Sequence, residues 1–108
     1  MQTSQFFAEI VGTFIFLLVI IDMVFRKASD PLVTSGSIPL YIGLGLCISI
    51  YVTAGLGGYG HLNPVVSAVC ATNGSINGGE MSLLIIAQVI GATLAYLLWL
   101  VLGRKGVL

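Results

Sequence analysis

Three long apolar stretches dominate the chain. Phe6 to Phe25 is interrupted only by Glu9, Gly12, Thr13 and Asp22, while Ile38 to Leu56 and Met81 to Leu102 carry no charged residue. Each reaches the length of about 20 residues that a helix needs to cross a hydrocarbon core. Three spanning helices are therefore expected, over about 6–25, 38–56 and 81–102, in a single membrane domain covering 1–108. The segment Met1 to Gln5 has no Lys or Arg and no small-residue cleavage pattern follows, so the first stretch is expected to remain as a helix. Between the first two stretches, Arg26 to Ser37 contains Lys27, Asp30, Pro31 and Gly36 and predicts a polar surface loop, with Pro39 tolerated in the first turn of the helix that follows.

The second connection has a different pattern. Gly57-Gly58-Tyr59-Gly60-His61-Leu62 leads to Asn63-Pro64, then to the apolar run Val65 to Ala71, and stops at Thr72-Asn73-Gly74. Asn followed by Pro is a helix start, and Asn-Gly is a helix stop. A helix over about 63–72 rises by about 1.5 Å per residue and covers close to half of a ~30 Å core. It can enter the membrane but not cross it. A surface-lying amphipathic helix is the other possibility, but the run lacks the Lys or Arg of a charged face. A re-entrant half-helix brings bare Gly-rich backbone to a depth where it is tolerated only inside protein or beside a wet cavity.

Composition agrees with this layout. The 108 residues are 57% hydrophobic and 7% charged, against about 25% charged in soluble domains. Four Lys/Arg balance four Asp/Glu, which leaves no basic surface for a nucleic acid. Cys47 and Cys70 lie in apolar runs without Cys or His at ligand spacing and are expected to be packed thiols, with no metal and no cofactor implied. No nucleophile–base set points to an enzyme.

The chemistry gathers at the half-helix. As N-cap, Asn63 holds its side-chain oxygen on the first backbone N–H groups and keeps its NH₂ outward as a fixed donor, at the positive end of the helix dipole. That field repels cations and protons while a neutral polar solute can accept the hydrogen bond. Glu9 is a carboxylate inside a span and needs donors to offset a cost of roughly 2.5–3.5 kcal/mol or more. Asp22 lies near a helix end and is expected to pair with Arg26. Small residues recur every four positions, at Ala8 and Gly12, at Gly45, Ser49 and Thr53, and at Ala87, Gly91 and Ala95, as stripes for close helix approach.

Ala8-Glu9-x-x-Gly12-Thr13, Gly60-His61-Leu62-Asn63-Pro64-Val65-Val66 and Ala87-Gln88-x-x-Gly91-Ala92 occur in that order across nearly the whole chain. Together they resemble the first half of an aquaporin, the major intrinsic protein family. The resemblance implies an all-α fold of two inverted repeats of three helices, each with a half-helix, whose Asn-Pro-Ala turns meet at the bilayer centre and line a pore for water or glycerol. One such repeat is expected here. Val65 stands where the family has Ala, the family's selectivity arginine belongs to the other repeat, and the position of a filter aromatic falls near small Gly43.

The resemblance also implies that Glu9 accepts backbone N–H bonds from Gly60 to Leu62 and holds the loop. A proton relay through Glu9 would need a second carboxylate or His on a helix at membrane depth. His61 is expected to anchor the loop, with a pH gate as its alternative, and Gln88 to bond the re-entrant backbone. Pro64 starts the half-helix, and Val65 forms a pore or contact wall.

With three spans, Arg26, Lys27, Arg104 and Lys105 fall on one face, which predicts a cytoplasmic C-terminus. The resembling repeat has its N-terminus inside, so charge and motif disagree. The expected function is passive passage of water or small neutral solutes by associated half-channel subunits; the alternative is a non-conducting structural subunit of a larger membrane assembly. Partners would be the bilayer and either a second copy, a complementary half, or other membrane subunits.

Overall fold

The computed structural model describes residues 1–27 and 34–104. Four helices follow in order: α1 (Thr3–Lys27), α2 (Ser37–Gly55), α3 (Pro64–Thr72) and α4 (Gly78–Arg104). Three of them, α1, α2 and α4, are long and apolar enough to cross a membrane, and no strand occurs among the described residues. The fold is all-α, with a longest dimension of 45 Å, close to a bilayer's full thickness of ≈ 40–45 Å. Most of the expected surface loop after α1, and the side chain of Arg26 expected to pair with Asp22, lie outside the described residues.

The helices run past their apolar stretches because polar residues cap them. Asn77 and Glu80 form a reciprocal box at the start of α4: the Glu80 N–H donates to Asn77 Oδ1 at 2.8 Å, and the Asn77 N–H donates to Glu80 Oε1 at 3.2 Å. This box sets the start of α4 at Gly78, three residues before the hydrophobic run. Ahead of α2 the N-cap is Gly36, which makes no side-chain cap, and the turn before it is closed where the Ser37 N–H meets Thr34 Oγ1 at 3.2 Å and the Thr34 N–H meets Ser37 Oγ at 3.0 Å. At α3 the chain turns from extended Asn63 into Pro64, and the helix ends at Thr72 with Gly74 at φ +84°. A proline at the first helical position loses nothing, since that N–H would have no helical partner.

Helix α1 packs against both α2 and α4, while α3 packs against α4. Glu9 meets Gln88, and Phe25 meets Trp99 with ring centroids 4.3 Å apart, so α1 and α4 run in parallel. Their approach is close at Gly91, where an added Cβ would sit 2.6 Å from the Ile10 carbonyl oxygen and 3.0 Å from the Phe14 nitrogen. Ala87 and Ala95, one turn to either side, are fully buried. On the other flank Gly12 faces Thr53 and Leu62, and Gly45 faces Val19. Small side chains let backbones approach in lipid, where dispersion contacts and not the hydrophobic effect drive association.

The core is therefore mostly small-residue and polar, with Leu62, Ile76 and Leu84 as its large apolar members, and many other large apolar side chains point outward. Leu44, Ile48 and Tyr51 on α2, and Ile86, Leu94 and Leu97 on α4, are exposed. Cys47 belongs to this outer surface and Cys70 is half-buried; both are free thiols. The expectation that both are packed is corrected for Cys47: in a chain solvated by lipid, an apolar neighbourhood marks the outer surface as readily as the core.

Gly91→Leu should force α1 and α4 apart and cost about 3 kcal/mol or more, by overpacking against backbone that cannot rotate away. Denaturant titration of the helical signal in micelles checks it, with Gly43→Leu, facing open space, as the near-neutral comparison.

Candidate functional site

The loop from Leu56 to Asn63 folds over α1 and is held by a buried carboxylate. Glu9 is fully buried. Its Oε2 accepts from the Gly60 N–H at 3.2 Å, and its Oε1 accepts from the Leu62 N–H and from Gln88 Nε2 at 3.2 Å. Three donors on one carboxylate replace much of the hydration it lost, and charge-assisted bonds of this kind are roughly twice as strong as neutral ones.

Holding the loop this way requires unusual backbone. Gly60 sits at φ +74°, and Leu62 at φ +58° is the non-glycine residue with positive φ among those described. A left-handed leucine costs of order 1–3 kcal/mol and persists only where the surroundings over-determine it. Here the Leu62 N–H is taken by Glu9 and its side chain is buried against Gly12. A larger residue at position 12 would displace that side chain, which links the small-residue stripe on α1 to the shape of the loop.

Gln88 extends the network sideways. Its Nε2 also donates to Ser67 Oγ on α3 at 3.0 Å, so both amide hydrogens are used, one on α1 and one on α3. Gln88 thus bonds side chains and not loop backbone. The expectation of a direct backbone bond is corrected because Glu9 already occupies the loop N–H groups. Ser67, fully buried, lies 3.0 Å from His61 Nδ1. Gln88 Nε2 can only donate, so Ser67 Oγ accepts there while lying within hydrogen-bond reach of the imidazole. The His61 ring also lies 5.3 Å from that of Tyr59, whose hydroxyl donates to Glu80 Oε2 at 2.9 Å. The loop is tied to α1 by Glu9, to α3 by Ser67 and to the start of α4 by Tyr59.

Asn63 Oδ1 accepts from the Val65 N–H at 2.8 Å, which engages the oxygen and leaves the NH₂ directed elsewhere on an exposed residue. Pro64 follows as the first residue of α3, and Val65, 67% exposed, continues an open face with Val69. Gly43 is exposed, with nothing near its Cα substituent position. The structure thus brings Glu9, Gly60, His61, Leu62, Ser67 and Gln88 into one connected cluster beside Asn63 and Pro64. Gly45 on α2 lies apart from it and contacts α1. Ser67 was not singled out from the sequence, although it is the lone polar side chain in Val65 to Ala71 and falls one helical turn after Asn63. Tyr59 and Glu80 were also not singled out; the Asn-x-x-Glu spacing was the available signal for Glu80.

A parallel helix pair bonded through a buried carboxylate to a capped short helix, within an apolar exterior, defines a helical membrane protein with a polar internal loop support. The family model of the major intrinsic proteins matches residues 1–106, and the chain belongs to that family; it is an integral membrane protein. It is 34% identical over 94 residues to the glycerol uptake facilitator protein-like 6 of Lactiplantibacillus plantarum, a match covering 84% of this chain and 40% of that relative. The chain thus spans about 40% of the length of the curated relative it matches. No solved structure matches it.

Glu9→Gln puts an amide NH₂ where a loop N–H now finds an oxygen, and should cost about 3 kcal/mol, with faster amide hydrogen exchange at Gly60 or Leu62 as the local readout. Ser67→Ala removes the partner shared by Gln88 and His61 and should cost about 1–3 kcal/mol, leaving exchange at Gly60 and Leu62 closer to that of the unaltered protein.

Proposed function

We propose that this chain supplies one half of a passive path for water or small neutral solutes, formed by association of half-channel subunits. In this reading α1, α2 and α4 cross the bilayer as one domain, and α3 is re-entrant. The observation that carries it is the Asn63 cap: Oδ1 is engaged by the Val65 N–H, so the NH₂ is a donor of fixed direction at the start of a helix that spans about 14 Å. A neutral solute accepts from that NH₂, while the positive end of α3 opposes cations. Gly60 and His61 shape the approach, Pro64 fixes the helix start, and Val65 lines the path or meets the other half.

Glu9 and Gln88 act as support, holding the loop so that Asn63 keeps its position. Gly12, Gly45, Ala87 and Gly91 keep the helices close enough for that support to reach. The name of the matched relative, a glycerol uptake facilitator-like protein, supports a small neutral solute as cargo. One observation favours a second reading, that of a non-conducting structural subunit. Arg26, Lys27, Arg104 and Lys105 all fall on one side of a three-span layout, which favours a single orientation and opposes antiparallel pairing of identical copies.

Stopped-flow light scattering on liposomes tests the proposal. The protein should raise water or glycerol permeability above that of empty liposomes, and Asn63→Asp, which replaces the neutral donor by a carboxylate at the dipole end, should lower it by about tenfold or more. Permeability equal to empty liposomes, with the chain recovered in fixed ratio with other membrane proteins, would favour the structural reading instead.

A further inference from the structure

Tyr59 occupies a stretch of loop that does little to hold it. Its chain neighbours are glycines: Gly60 at φ +74°, and Gly58, where an added Cβ would sit 2.7 Å from Ala8 Cβ and 2.9 Å from Thr53 Cγ2. Gly58 thus lets the loop lie against α1 and α2, but neither glycine offers a side chain for the phenol to pack on. Tyr59 is 37% exposed. Fixing a side chain so placed costs rotamer entropy that only a specific contact offsets. That contact is Glu80, 21 positions further along the chain, whose Oε2 accepts from the Tyr59 hydroxyl at 2.9 Å.

Glu80 is itself fixed from a second direction. Its Oε1 accepts from the Asn77 N–H at 3.2 Å while its own N–H donates to Asn77 Oδ1 at 2.8 Å. A capping box needs only one carboxylate oxygen, so the other is available for the loop. One side chain therefore closes the first turn of α4 and anchors Tyr59. The bond to Glu80, with burial and the carboxylate's charge adding to it, raises Tyr59 above the ordinary tyrosine range. The hydroxyl keeps its proton at neutral pH, and the tie is lost only as pH rises through that raised value.

The anchored ring meets His61, with centroids 5.3 Å apart and planes tilted by 41°. Ser67 Oγ lies 3.0 Å from His61 Nδ1. A single hydrogen bond pins one ring atom and leaves the plane free to swing, whereas an aromatic neighbour at this separation favours particular plane orientations. The imidazole is thus restrained from α3 at one atom and from α4 over its ring. We infer that Glu80 is a positioning residue for His61, acting through the Tyr59 ring to set the plane of the imidazole two residues ahead of Asn63. The restraint holds whether or not the chain conducts; only its consequence, an approach to Asn63 of fixed width, rests on the half-channel reading.

The test uses the full chain in lipid nanodiscs with labelled histidine, and since the sequence has one His the ring gives one set of NMR signals. Tyr59→Leu, which has no ring, defines the imidazole signal without a ring-current shift. Tyr59→Phe keeps the ring but loses the anchor, and should lose most of that shift and gain ring mobility while the amides of the first turn of α4 stay as they are. Glu80→Ala should move the imidazole in the same way and also loosen that first turn. Glu80→Gln should restore the shift, because the phenol oxygen both donates and accepts and so finds a partner in either end of the amide. The double variant Tyr59→Phe with Glu80→Ala should displace the imidazole no further than either change alone. An imidazole signal unchanged in Tyr59→Phe, a Glu80→Ala effect confined to α4, or additive displacement in the double variant would each overturn the inference. Liposomes without flux beside an imidazole that responds as expected would reject the half-channel and leave the positioning role standing.

Discussion

The structure depends on one buried carboxylate. Glu9 sits fully buried on α1 and collects the N–H groups of Gly60 and Leu62 together with one amide hydrogen of Gln88. A buried charge is destabilising by itself, and buried backbone N–H groups are destabilising without acceptors. Each removes the other's penalty. The left-handed Leu62 and the turn at Gly60 follow from that exchange, because the N–H groups reach the carboxylate only if the backbone bends that way.

Close helix packing is a precondition for this arrangement. Gln88 spans from Glu9 on α1 to Ser67 on α3, and it does so because Gly91 and Ala87 bring α4 against α1. A wider separation would leave Gln88 short of one partner. The small-residue stripes and the polar network are thus two parts of one device: packing sets the distance across which the side chains bond. Tyr59 to Glu80 adds a tie at the outer end, where the same glutamate also caps α4.

The apolar exterior explains why ordinary signs of burial mislead in such a chain. Leu44, Ile48, Tyr51 and Cys47 face outward, while Glu9, Thr13, Ser49, Thr53, Ser67 and Gln88 lie inside. The helices are held by polar and small residues because lipid competes for apolar side chains as effectively as the protein does.

Length and hydropathy by themselves determined the three long helices, and Asn63-Pro64 with Asn73-Gly74 determined where the short one starts and stops, since each of these signals is local to a few residues. The spacing of small residues likewise marked which stripes could approach. Helix ends beyond the apolar runs were harder to see, as Asn77 and Glu80 act through a cap and not through hydropathy. Which polar groups meet was settled by packing alone: that Ser67 links His61 to Gln88, that Gln88 bonds side chains and not loop backbone, and that Thr13 is left over. Those pairings join residues 6 to 79 positions apart, and in a hydrogen bond a few tenths of an ångström separate a partner from an orphan.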